Sequence, residues 1–158
     1  MSNNEQLANI GDVDYLLGLF HENNLPYELL RDKGPNGTPS LSEMTQKGLN
    51  ILKKSPNGYV LMVEGGRIDH GHHSNYARLA LAESAEFEKT VSLVVDKTDS
   101  DTLIIVTADH SHAMAINGYG RRGNDILGKE FPTFTVLETN LKNLLQAMDL
   151  RLKMTNLH

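Results

Sequence analysis

Residues 59–73 read YVLMVEGGRIDHGHH, a short apolar run that leads directly into a cluster of carboxylates and imidazoles. The run over residues 59–63 is nearly unbroken, which is typical of a strand buried on both faces in a parallel sheet. Residues 64–73 then hold two acids, three histidines and three glycines, a composition that predicts a loop binding metal ions. The stretch therefore predicts a strand that delivers metal ligands to one edge of a sheet.

A second strand is predicted at residues 102–107, TLIIVT, beyond a helical pattern. Apolar residues recur at helical spacing within residues 74–97, and Ser74 or Asn75 is a candidate cap for that helix. Strand, long helix and strand form a βαβ unit, in which the strands are parallel and the crossover is right-handed. The predicted fold class is therefore α/β.

Further helices and strands are predicted on both sides of this unit. Ser40, followed three residues later by Glu43, forms a capping-box pattern that predicts the start of a helix with one buried face. Residues 134–137 and 139–153 are candidates for a further strand and a final helix. A length of 158 residues suits one domain, over residues 1–158.

Polar side chains follow both predicted strands at the point where each strand ends. Glu64 and Asp69 come after the first strand, and Asp109 and His110 come after the second. Because ligands of open parallel sheets bind beyond the carboxyl ends of the strands, we expect both clusters to meet at the same edge.

The side chains in these clusters are those of a metal centre. Carboxylate oxygen and imidazole nitrogen without thiolate is the ligand set of catalytic zinc, whereas a glutamate among oxygen ligands suits magnesium. Asp69 and His73 are four residues apart, so one turn of chain can direct both at one ion. His70 and His112 are better candidates for roles outside the ligand set, on the substrate side, and His72 is expected to face solvent.

Plainer interpretations exist for each feature. Taken alone, the histidines of residues 70–73 are more often a solvated surface, and residues 109–110 could simply cap a turn. The expected convergence of the two clusters favours a site over both. For Arg67 we expect an ion pair with a local carboxylate rather than a bound anion. The three glycines of residues 64–73 indicate either backbone freedom around the site or a flexible loop.

Composition excludes several classes of protein. Twenty acids against 15 Lys and Arg give a net charge of −5, and no basic cluster is present, so nucleic acid is not an expected partner. The absence of cysteine excludes thiolate metal sites. There is no run of 18 apolar residues, no signal-peptide pattern and no anchor signal, so the sequence predicts no localisation.

Two long motifs resemble a known family. The stretches MVEGGRIDHGHH, residues 62–73, and IIVTADHSHAMAINGYGRRGNDILG, residues 104–128, are similar to animal alkaline phosphatases. The likeness extends from about residue 18 to about residue 128. Two such motifs, in the family's order and spaced across one βαβ unit, make the match specific.

The resemblance implies a partial parallel-sheet βαβ core of the alkaline-phosphatase-like fold, truncated at both ends. It implies a metal-dependent phosphomonoester hydrolase that releases inorganic phosphate and uses two Zn²⁺ and one Mg²⁺. By similarity, the metal ligands are Asp69 and His73 for the first zinc, Asp109 and His110 for the second zinc, and Glu64 for the magnesium. His70 and His112 would lie just outside these ligands. Family members are homodimers, and full-length animal members are held on the outer plasma membrane by a lipid anchor.

The sequence also departs from the family. The family's nucleophilic serine, which forms a phosphoserine, lies in an Asp-Ser-Ala context that does not occur here, so no catalytic nucleophile is assigned to this chain. A metal-bridging aspartate, a phosphate-binding arginine and a third zinc-binding histidine are also unmatched, so we expect incomplete sites with weak metal binding. The alternative hypothesis is a catalytically inactive metal-binding fragment. A phosphodiesterase or sulfatase of the wider superfamily is a third, which the two motifs disfavour.

Overall fold

The computed structural model describes residues 1–115 of the 158-residue chain. These residues form four helices, which are α1 (Asn4–Ala8), α2 (Leu41–Leu52), α3 (Arg67–His73) and α4 (Ala77–Lys97). The strand and helix expected at residues 134–137 and 139–153 lie outside the described residues. Within the described part, no helix has the length and apolar character needed to cross a membrane.

Helix α4 is the element against which α2 and α3 pack. The core lies at these two contacts and includes Leu49 of α2 together with Leu79 and Ala80 of α4, all of them buried. Because α2 precedes residues 59–63 and α3 follows residue 66, this packing places the metal-loop sequence against the long helix.

The predicted capping box at the start of α2 is confirmed. The hydroxyl of Ser40 accepts a hydrogen bond from the backbone N–H of Glu43, at 3.2 Å, and the Glu43 carboxylate accepts one from the backbone N–H of Ser40, at 2.7 Å. These bonds satisfy donors that a helix start otherwise leaves without partners. Helix α2 therefore begins at the residue that its local sequence predicts.

A buried carboxylate joins α4 to the first turn of α2. Glu86 accepts hydrogen bonds from the backbone N–H of Ser42, at 3.1 Å, and from its hydroxyl, at 2.6 Å. Its second oxygen lies 3.2 Å from the ammonium group of Lys89. A negative charge at a helix N-terminus interacts favourably with the helix dipole, and here that charge comes from the neighbouring helix. The contact ties the two helices together at one defined position.

The predicted long helix is confirmed as α4, but the expected cap is wrong. Tyr76 is the N-cap residue and makes no capping bond through its side chain. Ser74 instead ends α3, and Asn75 has a φ of 54°, in the left-handed region. The chain reverses between two helices within three residues, so Ser74 and Asn75 make the turn. Asn75 is well suited to this conformation because its short polar side chain tolerates positive φ.

The segment predicted as a metal loop is partly helical, since residues 67–73 form α3. Gly71 allows this helix to approach α4, because a Cβ atom placed on it would lie 2.7 Å from the backbone nitrogen of Ala80 and 2.9 Å from its Cα. The prediction of a loop is therefore wrong for residues 67–73. The prediction fails because Gly71 allows two helices to pack closely and is not there for free backbone motion.

The two apolar runs predicted as strands lie in the described part without forming hydrogen-bonded strands. Their exposure alternates with a period of two, which is the pattern of extended chain, and the less exposed residues of the second run, Ile104 and Val106, are still 36% and 56% exposed. The outward side chains are 93% and 87% exposed for Val60 and Met62, and 83% and 76% exposed for Leu103 and Ile105. The expectation of burial on both faces is wrong within residues 1–115, and the parallel-sheet α/β fold stays a prediction.

A polar network fastens the segment before α2 to α4. The backbone N–H of Glu28 donates to the Glu83 carboxylate at 2.5 Å, and the Glu28 side chain pairs with Arg31 at 2.7 Å. Arg31 also donates to the carbonyl oxygen of Thr38 at 2.9 Å. Burial raises the pKa of the Glu83 carboxyl group. The segment that leads into the capping box is thus held by a charged side chain of α4 and by charged side chains of its own.

Replacing two helical glycines tests the packing of α3. Gly71→Ala forces a methyl group into the rigid backbone of Ala80, and we expect it to destabilise the chain by about 1–3 kcal/mol. Gly48→Ala in α2 is the matched control, because its Cβ would meet only Leu61 at an ordinary 3.8 Å. We expect Gly48→Ala to stabilise by about 0.5–1 kcal/mol. Urea unfolding measures both, and equal stabilities of the two variants would contradict the packing described.

Replacing Glu83, a part-buried carboxylate on α4, tests the raised pKa. Because the folded-state pKa of Glu83 lies above its unfolded value, the ionised group destabilises the folded chain at neutral pH. Glu83→Gln keeps an oxygen acceptor for the Glu28 N–H, so we expect it to be more stable than wild type at pH 7. The difference should close as the pH falls below about 4, where the wild-type carboxyl is protonated. Denaturant unfolding at both pH values measures this, with the exposed Glu88→Gln as control; a less stable Glu83→Gln at pH 7 would refute the prediction.

Candidate metal centre

Helix α3 brings the first pair of predicted ligands together. Asp69 and His73 are four residues apart on α3, and residues at this spacing are neighbours on a helix surface. The Nε2 atom of His73 lies 3.6 Å from an oxygen of Asp69. One turn of helix therefore provides an oxygen and a nitrogen donor side by side.

His112 joins this pair from the other polar cluster. Its Nε2 atom lies 3.1 Å from Asp69 Oδ1, and its ring packs edge-on against His73 and stacks on His72, with centroids 4.6 and 5.0 Å apart. One ligand atom from each of Asp69, His73 and His112 lies within 4.8 Å of the others, so these three residues could hold a metal ion. We call them the Asp69 trio.

His112 lies where a metal ligand could lie, whereas the sequence predicted a role for it outside the ligand set. His110 and His112 are two residues apart, and the centroids of their rings lie 5.9 Å from each other. This close spacing of two histidines was the signal in the sequence for a shared role. His72, expected to face solvent, instead stacks on the trio through its ring.

The Asp109–His110 pair lies beside the trio. His110 Nε2 is 3.4 Å from an oxygen of Asp109 and 3.8 Å from Asp69 Oδ1. The pKa of His110 is raised, first by the hydrogen bond of its Nδ1–H to the carbonyl oxygen of Ser111 and then by the charges of Asp109 and Asp69. The carboxylate of Asp69 thus has three imidazoles within 4 Å, those of His73, His110 and His112.

Glu64 and His70 belong to a different place in the site. Both line a cavity of about 270 Å³ together with Gly65, Gly66 and Glu83. Within the part of the chain that the structure describes, no group of three possible ligands contains Glu64. The assignment of Glu64 to magnesium, and of the two aspartate–histidine pairs to zinc, stays a prediction.

Arg67 makes contacts that differ from the expected ion pair. Its Nε donates to the carbonyl oxygen of Leu25 at 2.5 Å, and one terminal nitrogen donates to that of Asn24 at 3.5 Å. The other terminal nitrogen lies 3.1 Å from Nδ1 of His70, and the guanidinium packs over the ring of Tyr27, 4.6 Å from its centre. Residues 1–115 contain no carboxylate within ion-pair distance of Arg67, so the predicted ion pair is wrong within them. The backbone carbonyls satisfy the guanidinium instead.

The donor set and its exposure suit an ion that must also meet a substrate. The trio offers one carboxylate and two imidazoles, which is the donor chemistry of an open, three-ligand metal site. The side chain of His112 is 18% exposed, whereas those of His73 and Asp109 are 70% and 88% exposed. The trio is therefore covered by protein at His112 and open to solvent at His73.

Comparison with known proteins agrees with this chemistry. The family model described as alkaline phosphatase matches residues 1–142. The chain is 54% identical over 124 residues to "Alkaline phosphatase 4" of Drosophila melanogaster, covering 77% of this chain and 20% of that protein. It is 50% identical over 117 residues to "Alkaline phosphatase" of Gadus morhua, covering 73% of this chain and 24% of that protein. It is 45% identical over 129 residues to "Membrane-bound alkaline phosphatase" of Bombyx mori, covering 80% and 23%.

The chain spans about a fifth to a quarter of the length of these relatives. The match covers both motifs that carry the Asp69 trio and the Asp109–His110 pair. Because the family model covers residues 1–142 of 158, the chain belongs to the alkaline phosphatase family.

Proposed function

We propose that this chain supplies the metal-binding wall of a metal-dependent phosphomonoester hydrolase that releases inorganic phosphate. The observation that carries the proposal is the Asp69 carboxylate, which has three imidazoles within 4 Å contributed by two distant motifs. A carboxylate in this position can share its two oxygens among bound cations. Family membership adds that this arrangement occurs in a chain related to phosphatases.

The ions proposed are two Zn²⁺ and one Mg²⁺. Asp69 and His73, with His112 as a third donor in this chain, would hold the first zinc; Asp109 and His110 would hold the second, and Glu64 the magnesium. The oxygen and nitrogen donors of the trio fit zinc, and the Glu64 carboxylate, which belongs to no group of three possible ligands among the described residues, fits a cation that keeps several waters. When bound, a zinc pair supplies charge stabilisation to the attacking and leaving oxygens of an in-line displacement at phosphorus.

The roles of the chain's own residues follow from their positions. Asp69 links the trio to the Asp109–His110 pair, since its carboxylate is near both His112 and His110. His70, which lines the cavity beside Glu64, would donate a hydrogen bond on the substrate side. The proposed reaction passes through the family's phosphoserine, with no residue of this sequence assigned as its nucleophile.

The setting of the whole enzyme is part of the same proposal. A parallel βαβ sheet would align the apolar runs at residues 59–63 and 102–107, whose alternating exposure is that of extended chain. Homodimers and attachment to a membrane through a lipid anchor are proposed for the full-length protein. The membrane setting is supported by a relative named "Membrane-bound alkaline phosphatase".

Zinc binding tests the role given to His112. We expect the 158-residue chain to bind Zn²⁺ in competition with a chromophoric chelator, and we expect His112→Ala to weaken that binding by about 10–100-fold. His21→Ala is the matched control, because His21 is exposed and lies outside the trio. Identical affinities of His112→Ala and His21→Ala would show that His112 does not support the ion.

Hydrolysis of a chromogenic phosphomonoester tests the proposed reaction. With Zn²⁺ and Mg²⁺ at alkaline pH, a full-length protein that carries this chain should release phosphate, lose turnover with a chelator and lose at least about 100-fold of it in Asp69→Asn, which removes the shared charge. Parallel assays with a phosphodiester and a sulfate ester measure specificity, and preference for either would overturn the phosphomonoester assignment. Zinc binding without any turnover would instead support the second candidate, a catalytically inactive metal-binding fragment.

A further inference from the structure

Arg67 is held by a contact at each of its three guanidinium nitrogens and by a ring on one face of the group. Nε and one terminal nitrogen donate to the carbonyl oxygens of Leu25 and Asn24, and the planar face lies over Tyr27. The remaining terminal nitrogen lies 3.1 Å from Nδ1 of His70. A planar group held by two carbonyls and a ring cannot rotate freely, so the nitrogen facing His70 is held in place.

This contact decides which ring nitrogen of His70 carries the proton. A guanidinium has five N–H donors and no acceptor, so Nδ1 of His70 must be the acceptor in the contact with Arg67. In a neutral imidazole the proton then resides on Nε2. Arg67 therefore selects one tautomer of His70 through a single hydrogen bond.

We propose that Arg67 is a positioning residue that makes His70 an Nε2–H hydrogen-bond donor toward the cavity it shares with Glu64. His70 and Glu64 both line that cavity of about 270 Å³. An oxygen-rich group such as a phosphate ester accepts hydrogen bonds and cannot donate them when fully ionised, so only the Nε2–H tautomer of His70 offers it a donor through Nε2. The hydrogen bond from His70 Nε2–H to a phosphate ester rests on the proposed function. The tautomer of His70 is measured without metal or substrate.

The neighbouring His72 is held in the opposite tautomer, with its proton on Nδ1. Its Nδ1 atom lies 2.7 Å from the carbonyl oxygen of Ile68, which can only accept, so Nδ1 of His72 is the protonated nitrogen. His70 and His72 lie on the same short helix, two residues apart. They therefore form a matched pair in which one tautomer depends on Arg67 and the other depends only on the helix backbone.

Nuclear magnetic resonance of the 158-residue chain labelled with ¹⁵N-histidine tests this inference. Two-bond ¹H–¹⁵N spectra at about pH 8.5, above the usual imidazole pKa, report the tautomer of each neutral ring. We expect His70 to show a protonated Nε2 and His72 a protonated Nδ1 in the wild type. The His70→Gln variant assigns its signal by removing it.

Variants at residue 67 separate the donor from the fold. Arg67→Met keeps an unbranched apolar stem but no donor, and we expect His70 to change to a mixture of tautomers while His72 is unchanged. Arg67→Lys, which again offers a donor and no acceptor, should restore the Nε2–H state at least in part. A change in the His72 tautomer in Arg67→Met would mean that this variant disturbs α3. In that case the wild-type and Arg67→Lys spectra alone test whether Arg67 selects the tautomer of His70.

Three results would overturn the inference. They are a wild-type His70 protonated at Nδ1, an unchanged His70 tautomer in Arg67→Met with His72 intact, and no return of the Nε2–H state in Arg67→Lys. Because none of these measurements needs zinc or turnover, failure here is distinguishable from failure of the proposed hydrolysis. Loss of hydrolysis with the His70 and His72 tautomers as expected would refute the proposed function alone.

Discussion

The site depends on the close contact between Gly71 of α3 and the backbone of Ala80 in α4. A helix of seven residues is too short to be stable by itself in water, so α3 must take its stability from packing. A side chain at position 71 would lie within 3 Å of the Ala80 backbone and would separate the two helices. Because Asp69 and His73 are adjacent only while α3 is helical, this one contact between two small residues determines whether the trio can form.

Charged side chains with defined partners hold the rest of the scaffold. Glu86 is buried, and a buried carboxylate is tolerated only where hydrogen bonds compensate for lost water. Ser42 and Lys89 supply these bonds, so the carboxylate also fixes where α2 begins relative to α4. Arg67 plays a similar part at the start of α3, where it binds the carbonyls of residues 24 and 25. Polar contacts therefore fix α2 against α4 and the start of α3 against residues 24 and 25, whereas the Gly71–Ala80 contact sets how closely α3 approaches α4.

Local sequence predicted what depends on local interactions. The capping box of Ser40 and Glu43, the long helix α4 and the one-turn spacing of Asp69 and His73 all follow from neighbours in the chain. The helical state of α3 depends on Ala80, and the contacts of Arg67 depend on residues 24, 25 and 27, so no local pattern could predict them. The apolar runs were predicted to be buried on both faces because periodicity alone cannot show what covers a strand.

The start of α3 at Arg67 also places the two acids of the motif in different surroundings. Glu64 precedes the helix and lines the cavity with His70, whereas Asp69 lies in the first turn of the helix beside His73 and His112. A carboxylate among imidazoles favours a cation that accepts nitrogen ligands, and a carboxylate among oxygens and water favours a harder one. The Gly65–Gly66 pair separates the two carboxylates, and Arg67 then orients the histidine that lies on the side of Glu64. Under the proposed function, one short motif would serve two kinds of ion because a helix begins in its middle.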